Sequence, residues 1–336
     1  MRARVIYNPT SGKELMKKYL ADVLNELEQM GYETSAFATT PQKNSAKNEA
    51  KRAALDGFNL IVAAGGDGTI NEVVNGIAPL PHRPRMAIIP AGTTNDFARA
   101  LKIPRRTPLE AIKVVAKNQT VNMDIGLAGK EHYFINIAAG GGLTELTFEV
   151  PSELKTTFGY LAYIAKGAEM LPRIKPINMR IRYDEKVWEG NTSMFFVGLT
   201  NSVGGFEQYA PNARLDDGYF SLLIVKSANI VEIMRLITLM INDGKHIDDK
   251  KVIYAKAKEI EIESLDDERL MINLDGDYGG DAPIVLKTLP QHIKFYANLD
   301  DISDDAVLGY DVKDDELDEA AVRFVTQYEN YTKKEE

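Results

Sequence analysis

A chain whose short apolar runs feed straight into glycine-bearing turns, and those turns into amphipathic helices, has few folds open to it. Leu60-Ile61-Val62-Ala63-Ala64 runs into Gly65-Gly66-Asp67-Gly68-Thr69 and then Ile70-Asn71-Glu72-Val73-Val74. The run has the length of a buried strand, and the segment after it has helical spacing. Arg4-Val5-Ile6-Tyr7 leads likewise into Asn8-Pro9-Thr10-Ser11-Gly12-Lys13 and a helix carrying Leu15, Tyr19, Leu20, Val23, Leu24 and Leu27. Met86-Ala87-Ile88-Ile89-Pro90 leads into Ala91-Gly92-Thr93-Thr94-Asn95-Asp96-Phe97 and a third helix. Such units in series imply a mostly parallel sheet covered on both faces. Their turns converge at the carboxyl ends of the strands, where open α/β sheets bind ligands.

Three glycines at a strand-to-helix turn let the backbone come close to a ligand, with N–H groups of the helix start pointing outward. That geometry suits phosphate. Asp67 repels bare phosphate, and fits best if Mg²⁺ or its water shell lies between them. The plainer alternative is a tight turn with a helix cap. Ser11-Gly12-Lys13 lacks the glycine spacing of a Walker A loop, and no Rossmann fingerprint is present.

The spacing predicts strands at 3–7, 33–39, 60–64 and 86–90, with helices at 14–30, 45–56, 70–77 and 95–101 and a short one after Pro108. From about residue 120, strands with turn signals take over: 121–125, 133–139, 177–183, 193–199, 220–225, 259–262, 270–274, 284–286 and 293–296. Helices near 153–170 and 229–241 interrupt them. The expected fold class is α/β: a doubly wound parallel-sheet domain over 1–122, then a mostly antiparallel β-sandwich domain over 123–289.

The net charge is −9, yet residues 300–336 hold 13 Asp/Glu against 4 Lys/Arg, which leaves the rest of the chain balanced. The acidic tail reads as a solvated segment, with a docked terminal helix as the alternative. No basic stripe interleaved with aromatics is present, so no nucleic-acid partner is expected. With no cysteine there are no disulfides or thiolate metal sites. No signal peptide and no apolar run of about 20 residues is visible, so a cytoplasmic protein is expected. The four histidines share no metal-ligand spacing, and Trp188 reads as packing.

Two acidic clusters lie in the β-rich half. Leu274-Asp275-Gly276-Asp277 puts carboxylates at i and i+2, roughly 6.5 to 7 Å apart on one side if the segment is extended. Carboxylates there suit a base that accepts a hydroxyl proton; a D-G hairpin turn is the alternative. Leu215-Asp216-Asp217-Gly218-Tyr219 reads as a turn before a strand.

The segments NPTSGK, GGDGTINEVVNG, IPAGTTNDFARAL, LDDGYF and LDGDYGG together resemble the diacylglycerol kinase catalytic family, most of all the soluble bacterial diacylglycerol kinases. The resemblance covers most of residues 1–298, and the wider group includes sphingosine, ceramide and NAD kinases. It implies an ATP- and Mg²⁺-dependent lipid kinase that phosphorylates diacylglycerol to phosphatidic acid, with the active site in the cleft between the two domains. A kinase of another lipid alcohol or of NAD, or a nucleotide-binding regulator, stays open beside it. For ATP it implies Asn8, Pro9, Thr10, Ser11, Gly12, Thr39, Gly66, Asp67, Gly68, Thr69, Ile70, Asn71, Glu72 and Thr93. As proton acceptor it implies Asp277, where the family usually has glutamate, with Asp275 as close partner. For Mg²⁺ it implies the Asp217 side chain with the carbonyls of Arg214 and Tyr219.

Lys13 stands beside the first turn, and Asn95 and Asp96 at a helix start. Asn136 and Ala138–Leu143 read as close backbone approach, and the apolar helix around Phe158, Tyr160, Leu161, Tyr163, Ile164, Met170 and Leu171 as core or as an acyl-chain channel. In the resemblance the chain returns to the first domain after about residue 290. A lipid substrate implies peripheral contact with the inner face of the membrane, with Arg83, Arg85, Arg99, Lys102, Arg105 and Arg106 as a basic cluster. The resemblance leaves room for a homodimer.

Overall fold

The computed structural model describes residues 1–142, 175–201, 210, 212–241, 244–267, 269–303 and 306–307. Leu143, the 153–170 helix and most of the acidic tail lie outside the described residues, as does the Lys13 side chain. The chain divides into two compact units: 1–92, 101–122 and 293–336 form the first, and 93–100 with 123–292 the second.

In the first unit, β1 (Arg2–Tyr7), β2 (Glu33–Ala38), β3 (Leu60–Gly65) and β4 (Arg85–Pro90) pair in parallel in the order β2-β1-β3-β4. Every residue of β3 is buried, so both faces of the sheet are covered, which explains an uninterrupted apolar strand. The cover comes from α1 (Leu15–Gln29), α2 (Ser45–Leu55), α3 (Asp67–Ile77) and α5 (Pro108–Ile112), α2 packing on α3 and α1 on α5. Helix α1 buries Met16, Val23 and Leu27. It stops at Gly31 (φ 88°), where the Gly31 and Tyr32 N–H groups donate back to Glu28 and Leu27 at 2.9 and 3.1 Å. Gly57 and Phe58 end α2 the same way, on Ala54 and Ala53. Left-handed glycine is what this closure asks for. The Gly76 position lets α2 and α3 touch: a Cβ there would lie 2.3 Å from the Lys47 carbonyl oxygen.

The second unit is antiparallel. It contains β5 (Thr120–Ala128, which starts in the first unit), β6 (His132–Phe134), β7 (Ile137–Gly141), β8 (Ile177–Tyr183), β9 (Lys186–Gly198), β10 (Phe220–Lys226), β11 (Val252–Ala257), β12 (Glu259–Ser264), β13 (Met271–Leu274) and β14 (Asp277–Asp281). The strand β15 (Ile284–Tyr296) pairs with β12 early in its course, and its Phe295 pairs with Met86 of β4. The order β14-β13-β7-β9-β8-β12-β15 surrounds a core of Phe134, Met179, Phe195, Phe220, Ile260, Ile272 and Leu286. Helix α4 (Asp96–Ala100) groups with this unit. Helix α6 (Ile230–Ile241) packs over a second cluster that includes Leu223, Val225 and Val252.

Five sequence expectations need correction. Helix α3 begins at Asp67, three residues before the expected start, because Gly66 is its N-cap. The expected strands 284–286 and 293–296 are one strand, which runs on through Pro290 and the left-handed Gln291 (φ 47°), the breakers that made it read as two in the sequence. The expected strand 133–139 is two, β6 and β7, and the expected 193–199 starts at 186. Strands β11 and β14 were not expected: Lys256 breaks the apolar pattern of one, glycines that of the other. Among the described residues, no helix is long and apolar enough to cross a membrane.

Candidate active site

At the carboxyl ends of β1, β2 and β3 the first unit has a cavity of ≈ 350 Å³ lined by Asn8, Ser11, Thr39, Thr40, Ser45, Ala46, Gly66, Gly68, Thr69 and Glu72. Seven of the expected nucleotide residues meet here: Asn8, Ser11, Thr39, Gly66, Gly68, Thr69 and Glu72. The first turn is held by Asn8, whose N–H donates to Ala64 O at 2.9 Å and whose Oδ1 accepts the Thr10 N–H and hydroxyl at 3.0 and 2.9 Å. Gly12 is left-handed (φ 54°), and a Cβ there would lie 2.5 Å from the Ala91 carbonyl oxygen. Only glycine lets the first turn pack so closely on the third.

Gly68 is different. It is exposed, its φ is ordinary, and a Cβ would have nothing within 4 Å. It sits in the first turn of α3, where glycine costs at most the roughly 0.5–1 kcal/mol that it costs against alanine in mid-helix. Neither its backbone conformation nor its packing requires a glycine. Asp67 stands at the first position of that helix. Ile70 is fully buried, so only its main chain can face a ligand. The side chain of Asn71 accepts from Asn75 Nδ2 at 3.0 Å. Pro9 belongs to the first turn, and the exposed Thr93 groups with the second unit.

Glu72 is already engaged. Its Oε2 accepts the Ala46 and Lys47 N–H groups at 2.9 and 3.4 Å, which caps the start of α2. Asn44 at the helix cap makes no capping hydrogen bond with its own side chain. A carboxylate at a helix N-terminus is favourable, so Glu72 fixes the Thr40–Ala46 wall of the cavity. Thr40, Ser45 and Ala46 were missed in the sequence; the polar run before α2 was the available signal. A second cavity of ≈ 220 Å³ lies at the opposite ends of the strands, lined by Arg2, Arg4, Arg52 and Phe58 among others. Its guanidinium charges are largely answered within the fold, Arg4 and Arg52 each lying 2.7 Å from buried Glu49.

In the second unit, Asp275 and Asp277 do not share one side of an extended segment. Asp275 and Gly276 have φ of 52° and 98° and form the two-residue turn between β13 and β14, with Leu274 opposite Asp277. Positive φ at both turn positions is the hairpin preference of Asp-Gly, and it overrides the extended reading. The Asp275 carboxylate accepts the Ile135, Asn136 and Ile137 N–H groups at 2.8, 2.9 and 2.8 Å. Asp277 is exposed, and its carboxylate has no hydrogen bond or ion pair with any described residue. Asn136 accepts from the Thr200 hydroxyl.

The Asp216–Asp217 turn wraps a carboxylate that the sequence analysis did not single out. Asp124 of β5 is fully buried and accepts the N–H groups of Gly218 and Gln291. Its own N–H donates to Leu215 O at 2.8 Å. Burial pushes the Asp124 carboxyl up to about 6; the two N–H donors oppose this, and the charges of Asp217 and Asp216 add to it. A lone carboxylate inside the apolar strand Val121–Ile125 was the visible signal. Asp217 accepts from the Tyr219 N–H at 3.0 Å and forms an ion pair with Lys256. Among the described residues, no group of three or more His, Asp or Glu side chains is arranged to hold a metal. A set of one carboxylate plus the Arg214 and Tyr219 carbonyls is of another kind. Its oxygen-only chemistry fits Mg²⁺, and the Lys256 ammonium already places positive charge on that carboxylate.

Residues 2–128 match the family model described as diacylglycerol kinase catalytic domain, and residues 141–297 match the YegS C-terminal NAD kinase beta sandwich-like domain. The chain is 53% identical over 292 residues to a diacylglycerol kinase of Bacillus subtilis (strain 168), covering 87% of this chain and 95% of that one. It is 49% identical over 316 residues to a diacylglycerol kinase of Staphylococcus aureus (strain Newman), covering 94% and 98%. A crystal structure of a diacylglycerol kinase from Bacillus anthracis str. Sterne aligns with a TM-score of 0.67 at 25% identity, covering 88% and 97% of the two chains.

Proposed function

Because this chain belongs to the diacylglycerol kinase family of lipid kinases, we propose that it moves the γ-phosphoryl group of ATP onto the free hydroxyl of diacylglycerol, giving phosphatidic acid and ADP. The observation that carries the nucleotide reading is Gly68: a glycine that the helix does not want and the packing does not need, at the rim of a cavity on the strand ends. The Asn8–Gly12 and Gly66–Thr69 turns would hold the phosphates through main-chain N–H groups and the Ser11 and Thr69 hydroxyls. Thr39 would close the far wall, and Asp67 would order metal-bound water at the phosphates.

Asp277 takes the hydroxyl proton as the hydroxyl oxygen attacks phosphorus, and the electron pair of the broken bond leaves with ADP. An exposed carboxylate with open lone pairs suits that role. Asp217, with the carbonyls of Arg214 and Tyr219, would hold Mg²⁺. Bound there, the ion would supply a fixed positive charge and an ordered water shell to the acidic turn. The protein would reach its lipid by peripheral contact with the inner face of the membrane.

The test is ATP-dependent phosphate incorporation into a panel of diacylglycerol, sphingoid base, other lipid alcohols and NAD. Diacylglycerol is expected to be the preferred acceptor. Preference for NAD, or no transfer to any acceptor, would reject the reading.

A further inference from the structure

Asp275 makes more hydrogen bonds than its turn requires. The ionised carboxylate offers about four lone-pair sites. Three are taken by main-chain donors: Ile135 N–H on Oδ2 at 2.8 Å, and Asn136 and Ile137 N–H on Oδ1 at 2.9 and 2.8 Å. The Asp275 N–H in turn donates to Ile137 O at 2.9 Å. A two-residue hairpin turn needs only positive φ at both positions, which Asn-Gly supplies equally well. The negative charge therefore serves the 135–137 segment, not the turn. That segment is tied further, since Leu199 N–H donates to Asn136 O at 3.0 Å. On the inner side, Gly276 N–H donates to Asn273 Oδ1 at 2.9 Å. Asp277 follows at once, as the first residue of β14.

We propose that Asp275 is a positioning residue rather than a proton acceptor: its carboxylate clamps the main chain of 135–137 to the hairpin and so fixes where Asp277 presents its own carboxylate. The inference rests on the reading that Asp277 is the base. A carboxylate whose lone pairs face three N–H donors is poorly placed to receive a proton from substrate without breaking the clamp.

The test compares Asp275→Asn, Asp275→Ala and Asp277→Ala in the full chain. Amide exchange at 135–137 reads the clamp, and the pH profile and formate rescue read the base. The Asp275→Asn carbonyl can keep the two donors on Oδ1, so the variant folds but loses exchange protection at Ile135, whose acceptor oxygen is replaced. Its kcat falls by about 10²-fold, as a misplacement of about 1 Å can cause, with KM for ATP unchanged and the acid limb of the kcat profile retained. Asp277→Ala keeps the protection, loses the acid limb, and regains turnover with added formate. The clamp is overturned if formate restores Asp275→Ala but not Asp277→Ala, or if Asp275→Asn is inactive with exchange at 135–137 unchanged. An unmodified protein that phosphorylates no alcohol would instead reject the kinase reading, a result separable from the exchange data.

Discussion

At Asp217 two cations have a claim on one carboxylate. Lys256 holds one oxygen as an ion pair, and the proposed Mg²⁺ would use the same side chain. Removing the ammonium with Lys256→Met should therefore lower the Mg²⁺ concentration that gives half-maximal activity, while Asp217→Ala should abolish activity at any Mg²⁺ level. If both variants titrate like the unmodified protein, the ion is not held there. Asp124, beneath the same turn, gives the chain a pH-dependent stability. Its carboxyl is raised from 3.8 to about 6 by burial first, so the folded state binds that proton more tightly than the unfolded chain. The stabilisation is fully present below about pH 3.8 and is lost as the pH rises through about 6. With chelator present, the Tm of Asp124→Asn should vary less across that window, and the unmodified protein should lose ground to it with rising pH. Parallel Tm curves would show that Asp124 is not the titrating group.

The glycine turns divide into those the fold requires and one that it does not. Gly12→Ala forces a Cβ into a left-handed position 2.5 Å from the Ala91 oxygen, so it should destabilise by at least the roughly 1–2 kcal/mol of the left-handed conformation alone. Gly68→Ala has open space in a helical turn, so its stability should stay level or rise by no more than the roughly 0.5–1 kcal/mol of helix propensity, read as an unchanged or higher Tm. Under the nucleotide reading its KM for ATP nevertheless increases, because the new methyl stands where phosphate approaches. Thermal scans paired with ATP titrations separate the two effects; an unchanged KM in Gly68→Ala would remove the main support for phosphate at α3.

For the whole molecule, reaching a lipid is a matter of surface charge, and the structure narrows the basic cluster read in the sequence. Arg83, Arg85, Arg99 and Lys102 are half-buried, with Arg85 and Arg99 bonded to the Tyr296 hydroxyl and the Thr94 carbonyl, whereas Arg105 and Arg106 are exposed. If those two face an anionic bilayer, each contributes about 1 kcal/mol near the surface. Reversing both charges should then cut activity in anionic vesicles far more than in neutral micelles, and equal losses in both would exclude docking there. The sequence by itself determined the strand–turn–helix series and the class of both units, because apolar period and glycine placement act within a few residues of one another. It also singled out Gly66–Glu72 and the two acidic turns as candidate sites. Tertiary structure alone decided what those residues do. Glu72 caps a helix that begins 27 residues earlier in the chain, Asp275 holds amides 138 to 140 residues away, and Asp124 is enclosed by donors 94 and 167 residues away. A carboxylate's role depends on which donors surround it in space, and no local pattern encodes those partners.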